Sequence, residues 1–422
     1  MWTTGLSLWT TLGSARRTCG QRSTQGTDSV TIRVMTGVPP LPRPTLLPGL
    51  TRLWRDRHTL QLGVEPGRAV LVEVANPRAA RLLDLLDGTR SERDVLAYAT
   101  AADVPPDEAR VLLDTLHAAG LVVPAHTLLP RDLAGPARAR LTAEAGALAL
   151  AAPGLPGTPA QVLRRRRNAR VLVTGAGRLG GPLTVALAQA GVGHLDPDLA
   201  GPVRPLDLVG TGLTAAEVGR PLAAALRDQL ARSAPGTETG PLRRGRIDLV
   251  VQLGPDRPAA VLAARYAQRR QPHLLLGLRG GVPVVGPLVR PPVGPCLNCL
   301  DRHRVERDPD WPALAAQLAA DDADQTCAAT TLLAAVAYAA AEVLAHLDGG
   351  TPETLGCAVE VGGAGRFRRR VWSPHPSCGC SGSRRIRSAR PHSRPEDARK
   401  AAGSGSSRPA PGFVAAAGPP SR

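Results

Sequence analysis

The chain has 422 residues, enough for two domains with separate cores. Its formal net charge of +17 comes almost wholly from arginine, with Lys400 the only lysine, and 45 Gly, 41 Pro and 2% aromatic residues show a strong compositional bias. Residues 1–34 carry +3 and residues 381–422 carry +7, leaving +7 for residues 35–380; the basicity sits largely in the flanks, so nucleic acid is not the default partner.

Residues 1–34 have neither a sustained apolar core nor a clean cleavage pattern, which speaks against a secretory signal. Met35 precedes a Pro-rich lead-in and is the only methionine besides Met1. It reads as the true start, with residues 1–34 an over-extended or disordered N-terminus. The most apolar long stretch, Ala328–Leu347, is alanine-rich and contains Glu342, a pattern for a buried helix rather than a membrane span. Four of the seven cysteines form two tight pairs, which fits a metal site in a reducing cytoplasm.

Residues 35–130 form the first expected domain. Thr59–Gly63 and Ala69–Val74 are strand-like and flank a Glu65-Pro66-Gly67 turn. A helix is expected at about Pro77–Leu86, with Ala79, Leu82, Leu83 and Leu86 on one face. Ser91 and Asp94 approximate a capping box for a second helix. A third follows Pro105-Pro106, with Ala109, Leu112, Leu113 and Leu116 at helical spacing, and Gly120 stops it before a short strand at Leu121–Val123. The order suggests a small winged-helix α+β unit. Its pattern resembles the PqqD-like domains of peptide-modifying proteins, which bind the leader of a ribosomal precursor peptide, usually as an added strand. A DNA-binding winged helix is the competing reading. Residues 52–123 hold nine Arg against eleven Asp or Glu, and Asp107, Glu108 and Asp114 face one Arg110 on the third helix, the wrong sign for phosphate.

Residues 131–163 read as a linker ending near the basic run Arg164–Arg167. That run is either a solvated helix end or a contact for an acidic partner or triphosphate. Val171–Val173 is then a short buried strand feeding Gly175-Ala176-Gly177-Arg178-Leu179-Gly180 and an apolar helix to Ala190. Strand, G-x-G-x-x-G turn and helix together place backbone N–H groups where a phosphate docks. Asp196 or Asp198 is the acidic residue for a ribose hydroxyl, with Pro197 expected to end or displace the strand edge. Ile247–Leu253 is the next strand. Asp256 follows Gly254-Pro255 at its carboxyl end, as a ligand residue or as a helix N-cap. Cys296 and Cys299, with Cys378 and Cys380 some eighty residues on, are spaced for a tetrahedral zinc clamp. Four thiolates leave no open coordination position, so the zinc is expected to be structural. His303 and His375 stand near enough in sequence to be alternative ligands, and Cys327 and Cys357 read as ordinary buried thiols.

VLVTGAGRLGGPLTVALAQAGVG, IDLVVQLGPD, GPCLNCLD and HPSCGC, in this order over residues 164–380, resemble the ThiF and MoeB adenylyltransferases related to ubiquitin-activating enzymes. With the PqqD-like front end, the chain is similar to ThiF-like precursor-binding proteins of thiazole/oxazole-type peptide biosynthesis. The resemblance implies an α/β Rossmann-like domain binding ATP and magnesium. It places Gly175, Gly177 and Gly180 at the nucleotide phosphates, beside Asp196 or Asp198 at the ribose as read above, Asp256 at ATP and metal, and zinc on the four cysteines. It also implies a precursor peptide and a modifying enzyme of the same pathway as partners, no nucleic acid or membrane, and a homodimer. Three positions depart from the family: Arg178 stands where a glycine is usual, Gly201–Pro205 lacks the Asn of an Asn–Arg pair, and Arg220 replaces a lysine. Arginine is a planar fork and lysine a compact point charge, so the last exchange is not neutral at a phosphoryl-transfer site. Two readings follow: a protein that binds and presents a precursor peptide, or an ATP-dependent adenylyltransferase using Arg220 and Arg204. The 381–422 tail, rich in Ser, Arg, Gly and Pro, is expected to be disordered.

Overall fold

The N-terminal strands assemble by alternation. In the computed structural model, which describes residues 8–10, 40–64, 69–133, 135–151, 156–242, 245–254, 259–320 and 326–381, β1 (Leu8–Thr10), β3 (Arg52–Trp54), β4 (Thr59–Leu62) and β5 (Val70–Glu73) form an antiparallel sheet ordered β1-β5-β4-β3. Leu60, Leu62, Val70 and Val72 point inward. They meet a 3₁₀ helix at Pro77–Leu85 and the helices α1 (Glu92–Ala101) and α2 (Pro106–Ala118). The Pro77 segment winds as 3₁₀ because the Asn76 side chain and carbonyl cap the tight first turn at Arg78 and Ala79. The Ser91–Asp94 capping box forms reciprocally. The last strand of the unit, β6 (Val122–Pro124), pairs with β2 (Pro44–Leu46) in a separate two-stranded sheet. The Glu65-Pro66-Gly67 turn, Met35 and the 381–422 tail beyond Ser381 lie outside the described residues.

The stretch read as a linker is helical. After α3 (Ala125–Leu128), α4 (Gly135–Leu150) and α5 (Pro159–Asn168) build a small core from Leu141, Ala145, Leu148, Val162 and Leu163. Alanine carries the lowest helix cost of any residue, and six of the sixteen residues of α4 are alanine. The basic run is structural as well. Arg166 is 3% exposed; its Nε and Nη2 meet Asp348 at 2.9 and 2.7 Å, and its Nη1 meets Glu144 at 2.5 Å. Arg167 pairs with Asp132 and Arg165 donates to the Pro156 carbonyl.

A second sheet runs β14-β13-β12-β11-β10-β7-β8-β9. Five strands are parallel: β9 (Glu238–Thr239), β8 (His194–Leu199), β7 (Arg170–Gly175), β10 (Leu249–Leu253) and β11 (His273–Arg279). β12 (Val282–Val289), β13 (Cys357–Val361) and β14 (Phe367–Val371) extend it antiparallel. One face is covered by α6 (Gly180–Gln189), α7 (Leu222–Ser233) and α11 (Ala329–Leu347), the other by α8 (Ala259–Gln268) and α9 (Leu297–Arg307); α10 (Trp311–Ala320) follows α9. Cover on both faces explains the continuous apolar runs of β7 and β10. Among the described residues α11 is the one helix long and apolar enough to cross a membrane, yet Leu332, Val336 and Val343 pack into the core. The buried Glu342 carboxylate accepts from Glu353 N–H, Thr354 N–H and the Thr354 hydroxyl.

Pro197 does not end its strand. His194 and Ala200 donate their N–H groups to Ala169 and Gly175 on the β7 side, so by alternation residue 197 faces β9. β9 pairs only with His194 and Leu195, and no ladder donor is needed at Pro197.

Candidate functional site

β7 ends on Gly175 at φ +111°, and Gly177 follows at φ +140°, both in the region that favours glycine. Packing alone demands two of the three glycines. A Cβ at Gly175 would stand 2.4 Å from the Leu253 carbonyl oxygen, and one at Gly180 would stand 2.4 Å from Leu253 Cδ1 and 2.7 Å from Leu199 Cδ2. α6 starts at Gly180 without a side-chain cap, which leaves its positive end to the turn. Beside the turn, Asp198 is exposed at the carboxyl end of β8 and its Oδ2 accepts the Thr174 hydroxyl at 2.9 Å. Asp196 is buried and holds Leu242 N–H and Arg227 instead, so of the two acids Asp198 is the one at the turn. Thr174 escaped the sequence reading; its signal is a hydroxyl on the last residue before the glycines.

The cations expected near the turn are engaged by protein groups. Arg178 is buried, and its guanidinium donates to the Leu206 carbonyl at 3.2 Å and the Cys327 carbonyl at 3.0 Å, tying down two loops rather than crowding the turn. Arg204 grips buried Asp207 with Nε at 3.0 Å and Nη2 at 3.2 Å. Arg220 pairs with Asp228 on the surface. Arg204 and Arg220 are brought together by their backbones, because Val203 exchanges hydrogen bonds with Gly219 and Arg220. Asp256 lies outside the described residues.

The four cysteines converge. Cys296 precedes the first residue of α9, Cys299 sits one turn in, and Cys378 and Cys380 arrive on the segment after β14. Their sulfur atoms all lie within 4.8 Å of one another, with 3.8 Å for Cys296–Cys299, 3.7 Å for Cys296–Cys378 and 3.3 Å for Cys299–Cys380. Four sulfurs about 2.3 Å from one ion at tetrahedral angles stand about 3.8 Å apart. The set therefore fits a thiolate-bound ion of zinc's preference. Burial pushes the Cys296 thiol well above its ordinary pKa and raises that of Cys299, so a metal must displace protons to bind.

His303 and His375 stand beside this cluster but pair with Glu306. His375 Nδ1 accepts Ser377 N–H at 3.1 Å, which leaves the ring proton on Nε2, donated to Glu306 at 2.7 Å. A cation at Nε2 would have to remove that proton while Nδ1 stays committed. Glu306 and His375 thus form a hydrogen-bonded strut, with His303 edge-on to the His375 ring and bonded to the Ser373 carbonyl, and the His375 carbonyl accepts Cys378 N–H to aim the second cysteine pair. Cys357 is buried, as expected, with its thiol on the Glu353 carbonyl, whereas Cys327 is only partly buried.

No model of a known protein family matches the chain, and no curated protein does. Solved structures do. The microcin C7 biosynthetic enzyme MccB in complex with N-formylated MccA is 15% identical over 80% of this chain and 99% of its own, with a TM-score of 0.54. E. coli MccB with ATP is also 15% identical, over 80% and 99%, with a TM-score of 0.53. PaaA is 15% identical over 76% and 98%, with a TM-score of 0.55. At such identities the likeness is one of fold: a mixed α/β arrangement of the MccB and ThiF type.

Proposed function

We propose that the chain binds a ribosomal precursor peptide along the outer edge of β5 and presents it to a modifying enzyme of the same pathway in a reducing cytoplasm. The observation that carries this reading is the strand already on that edge: Leu8, Trp9 and Thr10 pair antiparallel with Val72, Leu71 and Val70. Val74 N–H donates to His58 on the β4 side, so by alternation Val72 and Val70 face β4 while Leu71 and Glu73 turn their backbone groups outward. An extended peptide is what such an edge recognises. The solved MccB complexes with MccA support a polypeptide partner for this fold. The DNA reading loses further ground because Arg110, the single cation of α2, bridges to Glu92 at 3.0 Å. In this proposal residues 35–130 are the peptide module, residues 164–380 the ThiF-like domain, and zinc on Cys296, Cys299, Cys378 and Cys380 a structural staple.

The second reading is an ATP- and magnesium-dependent adenylyltransferase. Asp198 beside the glycine turn favours it, as does the MccB structure with ATP. The engagement of Arg204 by buried Asp207 counts against it, whereas the surface pair of Arg220 with Asp228 leaves Arg220 open to recruitment.

The test is fluorescence polarisation with labelled leader sequences encoded beside this chain. Leu71→Pro removes an outward N–H without touching the β4 ladder and should abolish binding in a folded protein. Truncation of residues 1–34 should tighten binding, since β1 occupies the same edge. Absence of binding to both the full and the truncated chain sinks the proposal. Peptide-dependent ATP–pyrophosphate exchange decides the second reading.

A further inference from the structure

The antiparallel half of the large sheet gathers arginines on one face through register alone. Arg279, the last residue of β11, lies opposite Val282; Val284 lies opposite Glu360, Glu360 opposite Arg368, and Ala358 opposite Arg370. Paired residues share a face and alternate residues return to it. Arg279, Glu360, Arg368 and Arg370 therefore project from one face, the one opposite Val359, Val361 and α11. α9 covers that face and adds Asp301 and Arg304.

Four guanidiniums here share two carboxylates. Glu360 takes Arg368 at 3.2 Å and Arg370 at 2.5 Å. Asp301 takes Arg304 at 3.0 Å and also accepts Trp311 Nε1–H, while Arg304 lies 4.8 Å over the Trp311 ring. Arg279 has no hydrogen bond or ion pair with any described residue, and its side chain reaches solvent. Crowding by the protein, and after it the charges of Arg304 and Arg370, push its pKa down to about 10, with Glu360 and Asp301 acting the other way. It stays charged at neutral pH, so the group carries two positive charges more than its carboxylates cancel.

Arginines on an edge strand ordinarily guard against strand-to-strand aggregation. That accounts for β14, whose five residues are all exposed. It does not account for Arg279, which lies three strands inside the edge. We propose that Arg279, Arg304, Arg368 and Arg370 form an oxyanion site that takes a phosphate or carboxylate group of a bound ligand. Guanidinium forks suit either anion in bidentate geometry. β11 is parallel to β10, so Arg279 stands at the carboxyl end of the parallel strands, the side of an α/β sheet where ligands collect. The cysteine clamp fixes the site: it joins the start of α9, which carries Arg304, to the segment that follows Arg370.

The test is titration calorimetry on the full, zinc-loaded chain at fixed ionic strength, with pyrophosphate and, separately, with a short peptide of consecutive glutamates. At least one probe should bind. Arg279→Gln should weaken it roughly tenfold or more with thermal unfolding unchanged, because no described residue loses a partner. Arg232→Gln, an exposed change on α7, should leave binding intact. Pyrophosphate alone binding identifies a polyphosphate ligand; the peptide alone binding identifies a carboxylate one. Binding of neither probe, or equal weakening by Arg279→Gln and Arg232→Gln, overturns the site.

Discussion

Replacing Arg166 by methionine separates a structural arginine from a ligand-binding one. In the sequence its run of four arginines offers itself to a triphosphate or an acidic partner. In the fold, Arg166 is 3% exposed and Asp348 5%, and the two share a bidentate pair, with Glu144 and the Ala190 carbonyl on the remaining donor. Arg166→Met leaves the Asp348 charge buried without its partner, at about 3–5 kcal/mol, and frees the Ala190 carbonyl, at about 1 kcal/mol more. A loss of roughly 4–6 kcal/mol is a large part of the 5–15 kcal/mol that typically holds a domain folded. Urea unfolding followed by circular dichroism should show the midpoint fall accordingly. Adding Asp348→Leu should recover most of the loss, since a buried ion pair and an apolar pair of similar volume are of comparable stability. A shift below about 1 kcal/mol for Arg166→Met, coupled to weakened ligand binding, would refute the reasoning and return the run to the ligand.

Zinc loaded onto the cysteine clamp should be released as pH falls, because buried thiols with raised pKa values must lose their protons to bind. Chelator competition should show zinc retention dropping steeply toward acid, and Cys299→Ser should abolish retention and lower Tm; an unchanged Tm after complete metal removal would show that the staple holds nothing. His273 is buried against Tyr266 and its pKa is pushed down from 6.5 to about 4 by desolvation. The unfolded chain binds that proton first, so stability is whole above 6.5 and falls by up to about 3 kcal/mol as pH drops toward 4. His273→Phe should flatten that slope in urea titrations at a series of pH values, and a slope equal to wild type would assign the acid loss to other groups.

Local chemistry was legible where neighbours in sequence are also neighbours in space. Ser91 and Asp94 cap one turn, Cys296 and Cys299 share one helix start, and the Val171–Gly180 strand, turn and helix are continuous. What escaped depends on register or on distant partners. Pro197 looked like a strand breaker because nothing in the sequence says that β9 ends two residues before it would need a donor. Alanine-rich 135–150 looked like a linker because only Leu141 and Leu148 among its leucines face a small separate core, with no obvious amphipathic stripe. The Arg279 cluster draws on three stretches spread over some ninety residues and becomes one face only through three successive strand pairings. Asp256, the acid on which the nucleotide reading leaned most, lies outside the described residues.

The glycine turn itself says little about ATP, because Leu253 and Leu199 require Gly175 and Gly180 whether or not a nucleotide binds. The cations are more informative, and they are not equivalent. Arg204 is bidentate on Asp207, which is 5% exposed, so recruiting it to a phosphate would strand a buried carboxylate at about 3–5 kcal/mol. Arg220 pairs with Asp228 in the open, a contact of about 0–1 kcal/mol that a phosphate displaces readily. If the chain adenylates a peptide, Arg220→Gln should therefore lower kcat by roughly 10²–10³ with stability unchanged. Arg204→Gln should cost stability first. Stopped exchange kinetics and urea titrations on the two variants read both quantities, and the reverse assignment would mean that Arg204 is the cation the reaction uses and that Asp207 lets it go.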